Sequence, residues 1–277
     1  MIRFLGFLAA VAVGQTLIVS VFAQAQVGDG QARLVEKVRT LSRQLRWHAG
    51  DDEEFAAIKD KVTREILSDI DAFISDSFQS TSATPELVKG GLDALLDYKS
   101  GDEAHNVAFI VDLPQGHFLI VGIEVSRWVG AFAEDAISFR AYKQIANKFV
   151  FTTATGNLSD SLLMSLHAEA LSKSPLPGEF WFLAMARMPP LSPPSVVIRL
   201  YAFDGQKFRI VWAPKNVEAE AVDKAVVVTG GGFLVDSLFD PTGMAAGSPS
   251  VMIHEQYVLT AVGPKKTAEW RTGYPAN

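Results

Sequence analysis

Five histidines are the first residues to ask about chemistry: His48, His105, His117, His167 and His254. No two of them have the i, i+4 spacing of a helical metal site, and His254-Glu255 lacks the second histidine of a zinc protease motif. His105, Asp112 and His117 bracket one predicted hairpin, where the two imidazoles could face each other, but ligation there needs a third donor. His167 and Glu169 fall on the polar face of one alternating segment, as an exposed sheet face would have them. No Gly-x-Ser-x-Gly elbow occurs, and Gly247-Ser248-Pro249-Ser250 has turn chemistry. Gly230-Gly231-Gly232 follows a strand but leads into another strand. No helix dipole is available there to hold a phosphate, so it reads as a turn. Asp51-Asp52-Glu53-Glu54 sits at a helix start, where carboxylates are favoured by the dipole without any bound cation. The sequence therefore points to no catalytic residue, no metal and no cofactor. A hydrolase would have to assemble a carboxylate pair from dispersed positions such as Asp112, Glu124 and Glu169.

Aromatic residues offer the other kind of site. Phe180-Trp181-Phe182 places Trp181 on the face opposite its neighbours, and Trp212 and Trp270 end strands. Tryptophans in such places can stack on sugars or peptides, so Trp181, Trp212 and Trp270 are the candidate ligand contacts. Pro189 to Pro194 reads as an extended loop, with partner docking as an alternative. Asn157-Leu158-Ser159 is a glycosylation sequon, meaningful only in a eukaryotic secretory route.

The N-terminus reads as an export signal. Arg3 precedes the apolar run Phe4 to Val13, a second run spans Leu17 to Phe22, and Ala23-Gln24-Ala25 is a small-x-small cleavage pattern. Cleavage would leave a mature chain starting at Gln26. The rival reading, an uncleaved anchor, is weakened by Gly14, Gln15, Thr16 and Ser20 inside the run. With no cysteine there is no lipidation site, no disulfide and no thiol chemistry. The chain carries 25 Lys+Arg against 31 Asp+Glu and no basic patch, so nucleic acid is not an expected partner. A membrane is expected only if the leader stays attached. The expected partner is an unidentified protein or small ligand in the cell envelope or outside it.

Two kinds of element must position these residues. From Ala32 to Ser80 there is no proline and only Gly50, whereas every proline except Pro85 lies beyond residue 100. Leu34, Val38, Leu41 and Leu45 form one helical stripe, and Phe55, Ile58, Val62, Ile66, Ile70 and Phe73 form a second. The short link His48-Ala49-Gly50 predicts an antiparallel hairpin of these helices, with Gly50 as a C-cap and Asp51 capping the next. Thr84-Pro85 opens a weaker third helix through Leu96. Beyond Gly101 the period becomes two. Strands are expected over Val107 to Val111, Phe118 to Glu124, Ile137 to Tyr142, Phe149 to Thr153, Leu162 to Ala170 and Phe180 to Ala186. Val196 to Phe203, Lys207 to Trp212, Ala225 to Thr229, Phe233 to Leu238, Val251 to Leu259 and Thr267 to Trp270 complete about twelve, with Asp204-Gly205 the strongest turn signal. The expected organisation is a leader over 1–25, a helical segment over 26–100 and an antiparallel β domain over 101–277. In class this is α+β.

A faint repeat lies within the β domain. Leu200-Tyr201-Ala202-Phe203, a glycine turn, Lys207 and Trp212 are echoed by Gln256-Tyr257-Val258-Leu259, Gly263, Lys265-Lys266 and Trp270, with Gly122 to Trp128 a weaker third relative. The hairpin Leu200 to Trp212 resembles the outer hairpin of uncharacterised exported bacterial proteins with propeller-like repeats. That resemblance implies four-stranded units ending on an aromatic residue. Integrin-type propellers would add calcium loops, of which only Asp204-Gly205 is present, so no calcium is implied. Three units fall short of closing a propeller, which leaves a sandwich, an open stack of sheets or a barrel as the candidate architectures. The expected function is that of an exported, non-enzymatic binding or envelope-associated protein, with an extracytoplasmic hydrolase as the alternative.

Overall fold

The computed structural model describes residues 29–47, 53–96, 106–125, 128–129, 132–133, 136–156, 158, 164–188, 195–215, 217–219, 224–239 and 251–273. The leader, the His48 to Asp51 link, His105, the Asn157 sequon, the Pro189 to Pro194 loop and the Gly247 to Ser250 loop lie outside the described residues.

Three helices open the chain: α1 (Asp29–Trp47), α2 (Glu53–Ser77) and α3 (Pro85–Leu96). Thr84 caps α3, its hydroxyl accepting the Leu87 N–H at 3.2 Å, and Pro85 occupies the first turn, where its missing N–H costs nothing. The helical stripes do what their spacing predicts. Val38 of α1, Val62, Ile66, Ile70 and Ile74 of α2, and Val88, Leu92 and Leu95 of α3 share one buried cluster.

Three antiparallel meanders follow. The first sheet has the order β1 (Val107–Leu113), β2 (Gly116–Val125), β5 (Ala136–Ile145), β6 (Lys148–Ala154), with the small hairpin β3 (Trp128–Val129) and β4 (Phe132–Ala133) between β2 and β5. The second runs β7 (Met164–Ala170), β8 (Phe180–Arg187), β9 (Ser195–Phe203), β10 (Phe208–Trp212), and β11 (Val217–Glu218) also pairs with β9. The third runs β12 (Val226–Thr229), β13 (Gly232–Phe239), β14 (Val251–Thr260), β15 (Gly263–Gly273). None closes into a barrel.

Side-chain alternation converts these sheets into a stack. Leu119, Val121, Ile123 and Tyr142 of the first sheet point into the helical cluster, while Phe118, Ile120, Phe139 and Ala141 point the other way. There they meet Phe182, Ala184, Tyr201 and Phe203 of the second sheet. The second sheet's opposite face, with Trp181, Leu183, Ile198 and Leu200, packs on Val226, Phe233 and Val235 of the third. The order of layers is helices, first sheet, second sheet, third sheet. Of the three architectures open to the sequence the barrel is excluded: the sheets pack face to face as in a sandwich, layer upon layer.

Several sequence expectations are corrected in detail. The turn placed at Gly263-Pro264 is instead the tighter Ala261-Val262, so β15 runs unbroken from Gly263 through Trp270 to Gly273. A bulge between Gln256 and Tyr257 absorbs the register change that made the segment look like a longer turn. The strand expected from Leu162 is described from Met164 and carries a bulge between Met164 and His167, where Ser165 has φ of 59°. The hairpins β9–β10 and β14–β15, which carry the two repeat copies, close the second and third sheets. The last pair of the first sheet is β5–β6.

Candidate functional site

The dispersed carboxylates do not converge. Asp112 is paired with His117 across the β1–β2 turn, its Oδ1 2.7 Å from His117 Nδ1, and its side chain is 87% exposed. His117 therefore partners Asp112, and its ring stacks on Phe149 at 6.0 Å. Glu124 lies seven residues along β2 from His117, roughly 23 Å away at strand rise. It is fully buried, and its carboxylate accepts the backbone N–H groups of Ser165 at 3.3 Å and Leu166 at 2.9 Å. Glu169 stands on the other face of β7, next to His167 at 3.2 Å, because Leu166 and Ala168 turn toward the first sheet. The three carboxylates are thus held by three different sets of partners.

The Glu124 contact explains the Ser165 bulge. Two successive N–H groups can converge on one carboxylate only if the strand leaves its regular twist, and the positive φ at Ser165 supplies that departure. Asn106 completes the support: its Oδ1 accepts the Glu124 N–H at 3.3 Å and its amide donates to Asp93 of α3 at 2.7 Å. A chain of polar contacts thus links the helices to the first and second sheets.

A second buried cluster joins helix to sheet. Arg140 of β5 makes a two-pronged contact with Asp71 of α2, and the Tyr142 hydroxyl donates to the same carboxylate at 2.7 Å. The guanidinium also lies 4.4 Å over the Phe151 ring. Burial works against the Arg140 cation, but the Asp71 contact outweighs it and holds its pKa above the ordinary value. Burial drives the Tyr142 phenol well above its ordinary pKa, and the neighbouring Asp71 charge adds to that. These groups tie α2 to the first sheet.

The three candidate tryptophans part company. Trp181 is 1% exposed between the second and third sheets, its indole N–H donating to Glu179 at 2.7 Å. It has no surface to offer a ligand, a correction forced by the third sheet covering the face that alternation assigned to it. Trp212 is half-buried, with its ring 5.3 Å from Phe233 and 5.0 Å from Tyr257, and it fastens the end of β10 to the third sheet. Trp270 is 42% exposed.

Trp270 belongs to a built arrangement on the outer face of the third sheet. Pairing sets Asp236, His254 and Trp270 side by side across β13, β14 and β15. His254 Nδ1 lies 2.7 Å from Asp236 Oδ1, its Nε2 lies 2.8 Å from Thr272 Oγ1, and its ring stacks on Trp270 at 5.1 Å. A hydroxyl–imidazole–carboxylate relay has this connectivity. A nucleophile also needs donors aimed at a developing oxyanion, but backbone N–H groups of a sheet lie in its plane and not above its face. The relay here fixes the imidazole as a wall for Trp270. Glu255, the residue after His254, points to the opposite face and bonds Tyr257 at 3.0 Å and Lys266 at 2.8 Å.

Sequence reasoning flagged Trp270 and His254 separately but missed Asp236 and Thr272. Both reach His254 across strands whose register is set by pairing and not by spacing along the chain. Among the described residues no three His, Asp or Glu side chains are grouped to hold a metal ion, and no helix is long and apolar enough to cross a membrane.

The fold and this face together define an α+β protein, a stack of three antiparallel meanders capped by helices at one end and ending in an aromatic-bearing sheet face at the other. Comparison with protein-family models, curated proteins and solved structures finds no match to this chain.

Proposed function

We propose that this is an exported, non-enzymatic binding protein that recognises its partner with the outer face of the third sheet. One observation carries the reading. The outer face of the third sheet contributes to none of the three buried clusters, and it carries Trp270, Val227 and Val258, each between 41% and 48% exposed. Aromatic and aliphatic side chains grouped on one face, with few charges among them, are the composition of a recognition surface. The scattered carboxylates, each held by different partners, favour binding over hydrolysis. Export rests on the Arg3, Phe4 to Val13 and Ala23-Gln24-Ala25 pattern, and N-terminal sequencing of the mature protein should begin at or near Gln26.

Hydroxyl-radical footprinting tests the surface. Trp270 oxidation should be suppressed in the native envelope or secretion medium and recover once the protein is purified and diluted. Equal oxidation in both settings would remove the outer face as the recognition surface.

A further inference from the structure

We infer that the occupant of this face is a second copy of the same chain, packed sheet against sheet about a two-fold axis. The inference rests on the reading of the outer face as a recognition surface. Three features of the molecule lead to it: the ends of the stack, the chemistry of the open face and its size.

A stack of layers has two terminal faces, and the two ends of this one differ. At the N-terminal end α1, α2 and α3 cover the first sheet and bury Leu119, Val121, Ile123 and Val125. At the C-terminal end Leu234, Leu238 and Met252 belong to none of the three buried clusters, and Val227, Val258 and Trp270 are exposed beside them. The alternation that turns Phe233, Val235 and Tyr257 inward is what turns these six outward. Two chains joined through this face would form one continuous stack of sheets with a helical cap at each end. The mode of contact is the one each chain already uses twice, sheet face on sheet face.

The face also suits its own copy. A two-fold interface places the same patch on both partners, so a patch dominated by one sign of charge would repel itself. Here pairing places one carboxylate, Asp236, and one ammonium, Lys265, on the face, and Asp236 is already engaged by His254. The other side chains on the face are aliphatic, aromatic or hydroxyl, with the His254 imidazole and the neutral Gln256 amide among them.

Size supports a stable contact. Four strands about 4.8 Å apart, about eight residues long at ~3.3 Å each, give roughly 500 Å² of flat area per copy. Both copies together contribute about 1,000 Å² before side-chain relief is counted, which reaches the threshold for a specific interface.

The test uses the purified full-length mature protein in sedimentation equilibrium at concentrations up to about 100 μM, above the dissociation constant of a weak interface. A dimer is expected, and Trp270→Lys with Val258→Lys should weaken it by at least about tenfold. Ile145→Lys, on the first sheet and also exposed, should leave it intact. A monomer throughout the range, or a dimer indifferent to the face variants, overturns the proposal. Should the lysine variants misfold, a photo-crosslinking phenylalanine analogue in place of Trp270 keeps an aromatic ring at the site. Crosslinked in native envelope, it should give an adduct of twice the chain mass. An adduct with a different protein alone would overturn the second copy and leave the recognition surface standing. A crosslink within the chain, or none, would overturn both.

Discussion

Removing the Asp71 carboxylate should expose how firmly the helical cap is bound to the first sheet. In Asp71→Ala, Arg140 keeps its charge but loses both of its contacts to α2, and the Tyr142 hydroxyl loses its acceptor. Arg140 has a side chain only 10% exposed, so water can reach it only by displacing packed groups. Stranding a buried cation of this kind costs about 3 kcal/mol or more, and an unpartnered buried hydroxyl adds about 1 kcal/mol. Asp71 itself is 21% exposed, so partial hydration trims the sum, and a loss of about 3–4 kcal/mol is expected. Urea unfolding of the purified protein measures it. The double variant Asp71→Ala with Arg140→Met removes the orphan charge and keeps the stem that packs on Phe151. It should recover most of the loss, leaving about 1 kcal/mol. A single variant costing under about 1 kcal/mol, or a double variant no better than the single, would refute the account of Arg140 as a buried cation that depends on Asp71.

Three further outcomes follow from other contacts. Glu124→Leu should cost about 2–4 kcal/mol by leaving the Ser165 and Leu166 N–H groups without their acceptor, and Glu124→Gln about half that, because one carbonyl oxygen remains; chemical denaturation would separate them. Gly122→Ala should lower the melting temperature by about 5 °C in calorimetry, because its Cβ would lie 2.6 Å from both Phe139 Cε1 and Val107 Cγ2 where the first two sheets meet. Burial pushes the Tyr201 phenol up to about 12, above its value of about 10 in an unfolded chain, so the fold prefers the neutral form. That stabilisation is complete below pH 10 and is lost as pH rises toward 12, about 3 kcal/mol in all; Tyr201→Phe should flatten this part of a denaturation series between pH 9 and 12.

The class of the fold was legible because it rests on local periodicity. Val62, Ile66 and Ile70 recur at helical spacing and are buried on one helix face, and the alternation beyond residue 106 gave strands close to where they stand. Turn chemistry was equally readable: Asp204 accepts the N–H groups of Gln206 and Lys207 at 2.9 Å each, and Gly205 takes φ of 86°, as an Asp-Gly turn requires. The Gly230 to Gly232 run is a turn, pairing Thr229 with Gly232. The site was only half legible. Trp270 stood out by type, yet nothing in the sequence separates it from Trp181, since both are tryptophans in alternating segments.

What the sequence by itself determined was the three helices and the twelve longer strands, but not the two-residue strands β3, β4 and β11, because helix and strand periods are written in residues a few positions apart and two residues carry no period. What tertiary structure decided was which sheet faces meet. Trp181 and Trp270 differ in fate because the second sheet is sandwiched and the third is terminal, a distinction set by contacts between residues far apart in the chain. The same packing brought Asp236 and Thr272 to His254 and drew Asp71 to Arg140. Each pairing depends on register and layer order, and those are fixed only when apolar faces choose their partners in three dimensions.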